Sequence, residues 1–351
     1  MTTVAVTGAS GLIGAPVVKA LDGLEGIDRV ITVDVADPRE PLPGTFRRGD
    51  VTDRASMLAA LADADVVVHL AARFDTGHDL DRIRAVNVDA VELVADVARE
   101  VGARKLIVAS SASAYGAHPD NPLPLPEEAP LRANPGLPYA EHKREIDLWL
   151  QRWAADQPDM TVTILRPAIV TGAGADNFAV RAMLMPRIPV IRGHRPPLQF
   201  VHLDDVVSAV VHVVTHDLPG AYNVAAEGWL SLDEVAAILG RRFFEVPEEV
   251  AFAAAQRTYS LGVGELPEGT VNYFMHPWVV SVDKLVATGW RPVHTNRDAL
   301  AAFVSAHGNE IIAGPLRTTK GQVRGAAIAG AGLVGGVLAL GVLSRRRHRD
   351  D

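Results

Sequence analysis

A phenol and an ammonium stand four residues apart in Tyr139-Ala140-Glu141-His142-Lys143. On a helix that spacing puts both on one face. A neighbouring lysine favours tyrosinate, so the phenol's pKa is expected to fall from ~10 toward working pH. A tyrosine tuned in this way can exchange a proton with an alcohol or ketone oxygen while a hydride moves at the adjoining carbon. Ser111 follows the apolar run Leu106-Ile107-Val108-Ala109. Its hydroxyl could hold the same oxygen in place. The competing reading is a solvated pair on an amphipathic helix.

A hydride acceptor needs a binding site, and the first residues suggest one. Thr3-Val4-Ala5-Val6-Thr7 runs into Gly8-Ala9-Ser10-Gly11-Leu12-Ile13-Gly14, which reads as strand, tight turn and helix, the helix continuing to Leu21. Glycine lets the backbone approach a pyrophosphate, and the free N–H groups at the helix start hold the anion. A second strand, Val30 to Val33, ends at Asp34. An acid there bonds the adenosine ribose hydroxyls and repels a 2′-phosphate, favouring NAD over NADP. Arg39, a little further on, is a group that could instead accept that phosphate.

The elements that must position these groups alternate along the chain. Strands are expected at 45–48, 66–70 and 106–109, with helices at 54–61 and 80–101, the last unbroken. Pro138 is well placed to open the helix carrying Tyr139, because its missing N–H costs nothing in the first turn. Continuous apolar strands separated by helices indicate a parallel sheet covered on both faces. Ligands then sit outside the carboxyl ends of the strands, so Gly8, Asp34, Asp50, Ala71 and Ser111 are expected to line one cleft.

Composition removes several other functions. The 351 residues include no cysteine, which excludes a disulfide scaffold, a thiolate metal site and a cysteine nucleophile. A net charge of −8 argues against nucleic acid as a partner. The charge is uneven: from Arg317 onward seven basic side chains meet two acids, leaving +5 there and −13 on the preceding body. No basic, signal-type segment precedes the first strand.

Taken together, Thr7 to Gly14, Asp50-Val51, Val68-His69-Leu70-Ala71-Ala72, Asn87-Val88, Ser110 to Gly116, Tyr139 to Lys143 and Leu165-Arg166-Pro167 resemble an extended short-chain dehydrogenase/reductase of the NAD-dependent epimerase/dehydratase family. Phe200-Val201-His202-Leu203-Asp204-Asp205 and Gly289-Trp290-Arg291-Pro292 extend the likeness, which covers residues 3 to 305. The resemblance implies an NAD-dependent enzyme with Tyr139 as acid/base, Lys143 as its modulator and ribose ligand, and Ser111 as the substrate-polarising hydroxyl. Asn87 is implied to hold the helix beside the site. Implied cofactor contacts are Gly8, Ser10, Gly11, Leu12, Ile13, Gly14, Asp34, Asp50, Val51, Leu70, Ala71, Ala72 and Pro167, besides Tyr139 and Lys143.

The chain departs from the nucleotide-sugar members at two positions. Ile169 stands where they usually have Asn, and Leu198-Gln199 where they have Arg-Asp. A diphosphate needs compensating cations, which Arg187, Arg192 or Arg195 could supply. The stretch Arg166 to Gly172 is equally similar to the 3β-hydroxysteroid dehydrogenase and dihydroflavonol reductase branch. The segment from Pro119 to Pro138, with seven prolines, is expected to rim the substrate mouth or to act as a rigid connection. His202, Asp204 and Asp205 look like metal ligands on paper, but the family fit makes them a strand-to-helix turn capped by one of the aspartates. No metal site is expected.

The expected fold is therefore α/β, a Rossmann-type doubly wound parallel sheet with a smaller C-terminal substrate lobe and a C-terminal membrane helix. Its parts are an NAD-binding domain at 1–171 with 200–224 returning to it, a lobe from 172–199 and 225–310, and a linker at 311–325. Residues 326–343 carry no polar side chain. As a helix they reach about 27 Å, close to the ~30 Å hydrocarbon core. Gly332 and Gly336 offer a dimer seam there, and the basic tail at 344–351 could anchor to headgroups. The expected protein has a cytoplasmic catalytic domain held at a membrane. Its substrate is a small molecule, either a sugar nucleotide or a lipid-like alcohol or ketone. The candidate functions are an oxidoreductase at a secondary alcohol, a nucleotide-sugar epimerase or dehydratase holding NAD tightly, a steroid- or lipid-alcohol dehydrogenase, and a non-catalytic NAD-binding scaffold.

Overall fold

The computed structural model describes residues 1–73, 79–175, 177–185, 187–262, 266–307, 310–313 and 316–319. The first half alternates as expected: β1 (Thr3–Thr7), α1 (Gly14–Leu21), β2 (Arg29–Asp34), β3 (Thr45–Arg48), α2 (Arg54–Leu61) and β4 (Val66–His69). The helix expected over 80–101 is broken into α3 (Leu80–Arg84), a π-helical turn (Ala85–Asp89) and α4 (Ala90–Glu100). Then come β5 (Lys105–Ala109), a 3₁₀ turn (Ala112–Tyr115), α5 (Pro138–Ala155), with Pro138 in its first turn, and β6 (Thr161–Pro167).

The second half holds β7 (Ile169–Thr171), α6 (Phe178–Met183), β8 (Ile188–Ile191), β9 (Phe200–His202), α7 (Leu203–Thr215) and β10 (Gly220–Val224). After these lie α8 (Leu232–Leu239), β11 (Phe243–Val246), α9 (Glu248–Ser260), α10 (Asp283–Val286) and α11 (Asn296–His307). Ser231 and Glu234 close the capping box that opens α8. Residues 310–319, partly expected as linker, include an antiparallel pair, β12 (Glu310–Ala313) and β13 (Leu316–Thr319). The expected membrane segment, 326–343, and the basic tail lie outside the described residues. Among the described residues no helix is long and apolar enough to cross a membrane.

One parallel sheet in the order β10-β6-β5-β4-β1-β2-β3 organises the molecule. Side chains alternate across it. Val4 and Val6 pack with Val17, Val18, Val206 and Val210 from α1 and α7. On the opposite face Ala5 and Val67 pack with Met57, Val94, Ile146 and Leu150 from α2, α4 and α5. The chain reverses direction of winding at β1, whose neighbours are β2 and β4. A cleft opens at the carboxyl ends of β1 and β4 because the helices diverge there. Outside this sheet, β7 pairs with β9 and β8 with β11, and a third apolar cluster containing Phe200, Tyr273, Trp278 and Phe303 joins these pieces to the 3₁₀ turn.

Candidate active site

The glycine turn packs against the loop after β4. Gly8 has φ +68°, and a Cβ there would lie 2.6 Å from the Ala71 nitrogen. A Cβ on Gly14 would lie 2.9 Å from the Ala9 Cα, so bare glycine lets α1 start directly against the strand end. The Asp34 carboxylate accepts the Ser10 N–H at 2.9 Å and the Ala36 N–H at 3.3 Å, which fixes the turn relative to β2. Ser10 therefore faces Asp34 and takes no part in lining either cavity described below.

Two cavities flank this turn. One, of about 430 Å³, is lined by Gly8, Gly11, Asp34, Asp50, Val51, Leu70, Ala71 and Ala72, together with Arg73 and Arg82. The other, of about 290 Å³, is lined by Gly8, Gly11, Leu12, Ile13, Gly14, Leu70, Ala72, Ser111, Tyr139, Lys143 and Pro167. Gly8, Gly11, Leu70 and Ala72 belong to both, so the cleft runs past both sides of the turn. Of the residues expected along one cleft, Asp34, Asp50 and Ala71 lie at one end and Ser111 at the other. Ile169, Asn177 and Trp278 also line the second cavity. Trp278 had no local signal, standing in an irregular segment far along the chain.

In the second cavity Tyr139 and Ser111 lie close enough for Ser111 to pull the phenol's pKa down. The Ser111 oxygen accepts from the Ser113 N–H at 3.1 Å and the Ser113 hydroxyl at 2.9 Å. Lys143 donates from Nζ to the Ala109 carbonyl at 2.7 Å, with the ammonium 5.8 Å from the Tyr139 ring centre. Burial pushes the Tyr139 phenol up to about 12, against the opposing influence of Ser111. Burial also pulls Lys143 down to about 8, against the nearby Asp147 charge. The expectation that the lysine lowers the tyrosine's pKa is thus corrected for the protein by itself. The ammonium is directed at a backbone carbonyl, and desolvation outweighs it. The arrangement presents a protonated phenol and a serine hydroxyl to one point, and a proton can pass there to or from an oxygen.

The helix carrying Tyr139 and Lys143 is anchored from below. Asp147, one turn beyond Lys143, receives two hydrogen bonds of 2.8 Å from Arg166, both side chains being fully buried. Arg166 also donates to the Tyr115 hydroxyl at 2.6 Å and the Glu127 carbonyl at 2.9 Å, and Tyr115 passes a bond to Asn223 at 2.9 Å. The motifs containing Tyr115 and Arg166 were visible in the sequence, but not this joint role. The signal the sequence carries for it is Asp147, at i+4 from Lys143.

Asn87 sits in the π turn, and both ends of its amide are engaged. Oδ1 accepts the Arg73 N–H at 2.7 Å, and Nδ2 donates to the Arg73 carbonyl at 2.9 Å. It clamps the loop after β4 and is not among the residues lining either cavity. A π turn rotates side chains off the α-helical register, which is how this amide comes to face the loop. Arg84, the last residue of α3, ties the start of this turn to Glu145 on α5 at 2.8 and 2.6 Å.

His202 itself caps α7 by accepting the Asp204 N–H at 3.2 Å, in place of the expected aspartate cap. Asp205 is buried and accepts from the Val293 N–H, the His294 N–H and His294 Nδ1 at 2.8, 3.0 and 3.1 Å. His202, Asp204 and His294 bring possible ligand atoms within 4.8 Å of one another. Within this group His202 Nδ1 is the atom that accepts the Asp204 N–H and caps α7.

Comparison with known proteins places these features in context. The description "NAD dependent epimerase/dehydratase family" matches residues 4–225. An uncharacterised protein of Mycobacterium tuberculosis is 25% identical over 338 residues, covering 93% of this chain and 89% of the relative. A 3-diazoavenalumate denitrifying reductase of a Streptomyces species is 30% identical over 233 residues, covering 63% of this chain and 75% of the reductase. Among solved structures, the UDP-glucose 4-epimerase of Thermus thermophilus complexed with NAD superposes with a TM-score of 0.67. It is 22% identical and covers 87% of this chain and 98% of the epimerase.

Proposed function

The chain belongs to the NAD dependent epimerase/dehydratase family, and on that premise we propose an NAD-dependent oxidoreductase that transfers hydride at a secondary alcohol or ketone carbon. The observation that carries the reading is that Ser111, Tyr139 and Lys143 line one cavity together with the glycine turn.

The residues fit NAD. Gly11 is bare on the wall common to both cavities, and the Asp34 carboxylate lines the cavity at the other end of the cleft. In this reading Gly8, Gly11, Leu12, Ile13 and Gly14 lie against the pyrophosphate and Asp34 takes the adenosine ribose. Asp50 and Val51 meet the adenine, Leu70 to Ala72 form the wall between, and Lys143 and Pro167 serve the nicotinamide end. When bound, the nicotinamide supplies the hydride donor or acceptor. Ser111 holds the substrate oxygen, and the Tyr139 hydroxyl gives it a proton in reduction or recovers one in oxidation. Lys143, buried one turn away, is placed to stabilise tyrosinate whenever its ammonium turns from Ala109 toward the phenol.

Tyr139→Phe is the test. Turnover is expected to fall about 10²–10⁴-fold, the usual worth of a positioned general acid, with NAD binding retained. Unchanged biological activity in that variant, with NAD still bound, favours the non-catalytic scaffold.

The fold shared with a UDP-glucose 4-epimerase favours a second reading, an epimerase or dehydratase that returns the hydride. Such an enzyme retains its NAD and gives no net turnover of added cofactor. We also propose a cytoplasm-facing catalytic body attached to membrane through 326–343 and able to pair through Gly332 and Gly336, supported by the uncharged eighteen-residue run. Deleting residues 317–351 is expected to release the protein from the membrane fraction. Full-length protein that is already soluble without detergent overturns the attachment.

A further inference from the structure

Ile169 and Trp278 line the cavity of Ser111, Tyr139 and Lys143 and also a second recess of about 30 Å³. Met183, Val190, Leu198 and Phe243 contribute to the recess, and no charged side chain lines it among the described residues. Its two polar aromatic groups are turned to the protein. The Tyr273 hydroxyl donates to the Ser113 carbonyl at 2.7 Å, and Trp278 Nε1 donates to the Tyr273 carbonyl at 3.2 Å.

One neighbouring glutamine and two of the three neighbouring arginines are engaged as well. Gln199, next to Leu198, donates to the Ala226, Gly228 and Val280 carbonyls and accepts the Val280 N–H. Arg195 meets Glu245 at 2.8 Å and Arg192 lies 4.0 Å from the same carboxylate. Among the described residues lining the catalytic cavity, Lys143 is the one charged group, and it donates to Ala109. A diphosphate inside this cavity would lose water and meet a single cation among the described lining residues.

We propose that the substrate is a compact, uncharged secondary alcohol or ketone whose apolar flank enters the recess between Ile169 and Trp278. This rests on the reading of the site as a hydride-transfer centre. In the reducing direction the carbonyl carbon takes a hydride from NADH and the carbonyl oxygen takes the Tyr139 proton, giving the secondary alcohol and NAD⁺.

The test titrates the NAD-loaded full-length protein with 2-butanone, 2-pentanone, 2-hexanone and UDP-glucose. Binding is read by tryptophan fluorescence, with Trp278→Phe identifying the signal, and NADH oxidation is followed separately. The first methylene to enter the recess beyond 2-butanone is expected to tighten binding about fourfold, the gain levelling off once its roughly 30 Å³ is filled, with UDP-glucose weaker than 2-hexanone. Val190→Thr puts a hydroxyl in the recess at almost unchanged volume and is expected to weaken 2-hexanone about tenfold, with 2-butanone less affected. Leu198→Ala enlarges the recess and is expected to shift the preference to longer ketones. Equal affinity along the series, or UDP-glucose binding more tightly than every ketone, overturns the proposal. Ketones that bind in the expected order without NADH oxidation uphold the substrate class and refute the hydride-transfer reading. UDP-glucose that binds tightly and is epimerised with NAD retained does the reverse.

Discussion

Replacing Arg166 with methionine removes four hydrogen bonds and a buried positive charge from beneath the helix that carries Tyr139 and Lys143. The loss leaves the Asp147 carboxylate, 0% exposed, with the Gln151 amide at 2.8 Å as its remaining side-chain donor. At 2.8 Å the pair attracts by about 6 kcal/mol at an effective dielectric of about 20. Much of that offsets the cost of removing two charges from water, so the pair itself stabilises the fold modestly. Breaking it from one side is different, because the desolvation cost of Asp147 stays while its compensation goes. The expected loss is about 3–5 kcal/mol, which for a domain of this size corresponds to a fall in Tm on the order of 10 °C. Urea denaturation of R166M and of the double variant R166M/D147L measures it. The double variant removes both charges and should recover most of the loss, since the remaining groups include Tyr115, which still donates to Asn223. A single variant costing less than about 1 kcal/mol, or a double variant no better than the single one, would refute this account of the network.

Other perturbations follow from the same geometry. Gly8→Ala forces a Cβ against the Ala71 backbone at a positive φ. It is expected to reduce NAD affinity by at least tenfold, or prevent folding, and calorimetric titration with NAD distinguishes the two. Lys143 is held at about 8 against 10.5 for the unperturbed group. Between those values the unfolded chain binds more protons than the native one, so its contribution makes stability rise with pH across pH 8–10.5 and is least favourable below it. The stability advantage of Lys143→Met over the parent should therefore shrink by about 3 kcal/mol across that window, measured by denaturation at each pH; a constant difference would argue against a strained lysine. Asn87→Leu removes the clamp on Arg73. Weaker NAD binding with a smaller change in kcat is expected, and a kcat loss at unchanged KM for NAD would make Asn87 more than a positioning residue.

Local chemistry made much of this protein readable before any tertiary contact was known. Val4 to Thr7, Val66 to Val68 and Leu106 to Ala109 are short apolar or β-branched runs, so strands and their parallel pairing follow from short-range pattern. The Tyr139–Lys143 pair and the glycine turn were equally legible, because i,i+4 spacing and a positive φ at Gly8 are properties of a few adjacent residues. The tertiary structure decided what depended on groups far apart in the chain. It broke the helix over 80–101 so that Asn87 could reach Arg73. It brought Trp278 into the cavity of Tyr139, and moved the cap of α7 from aspartate to His202 while Asp205 held the His294 segment. It also reversed the expected shift of the Tyr139 phenol. That sign is set by burial and by where an ammonium points, both sums over many distant contacts, and neither is encoded in a spacing of four residues.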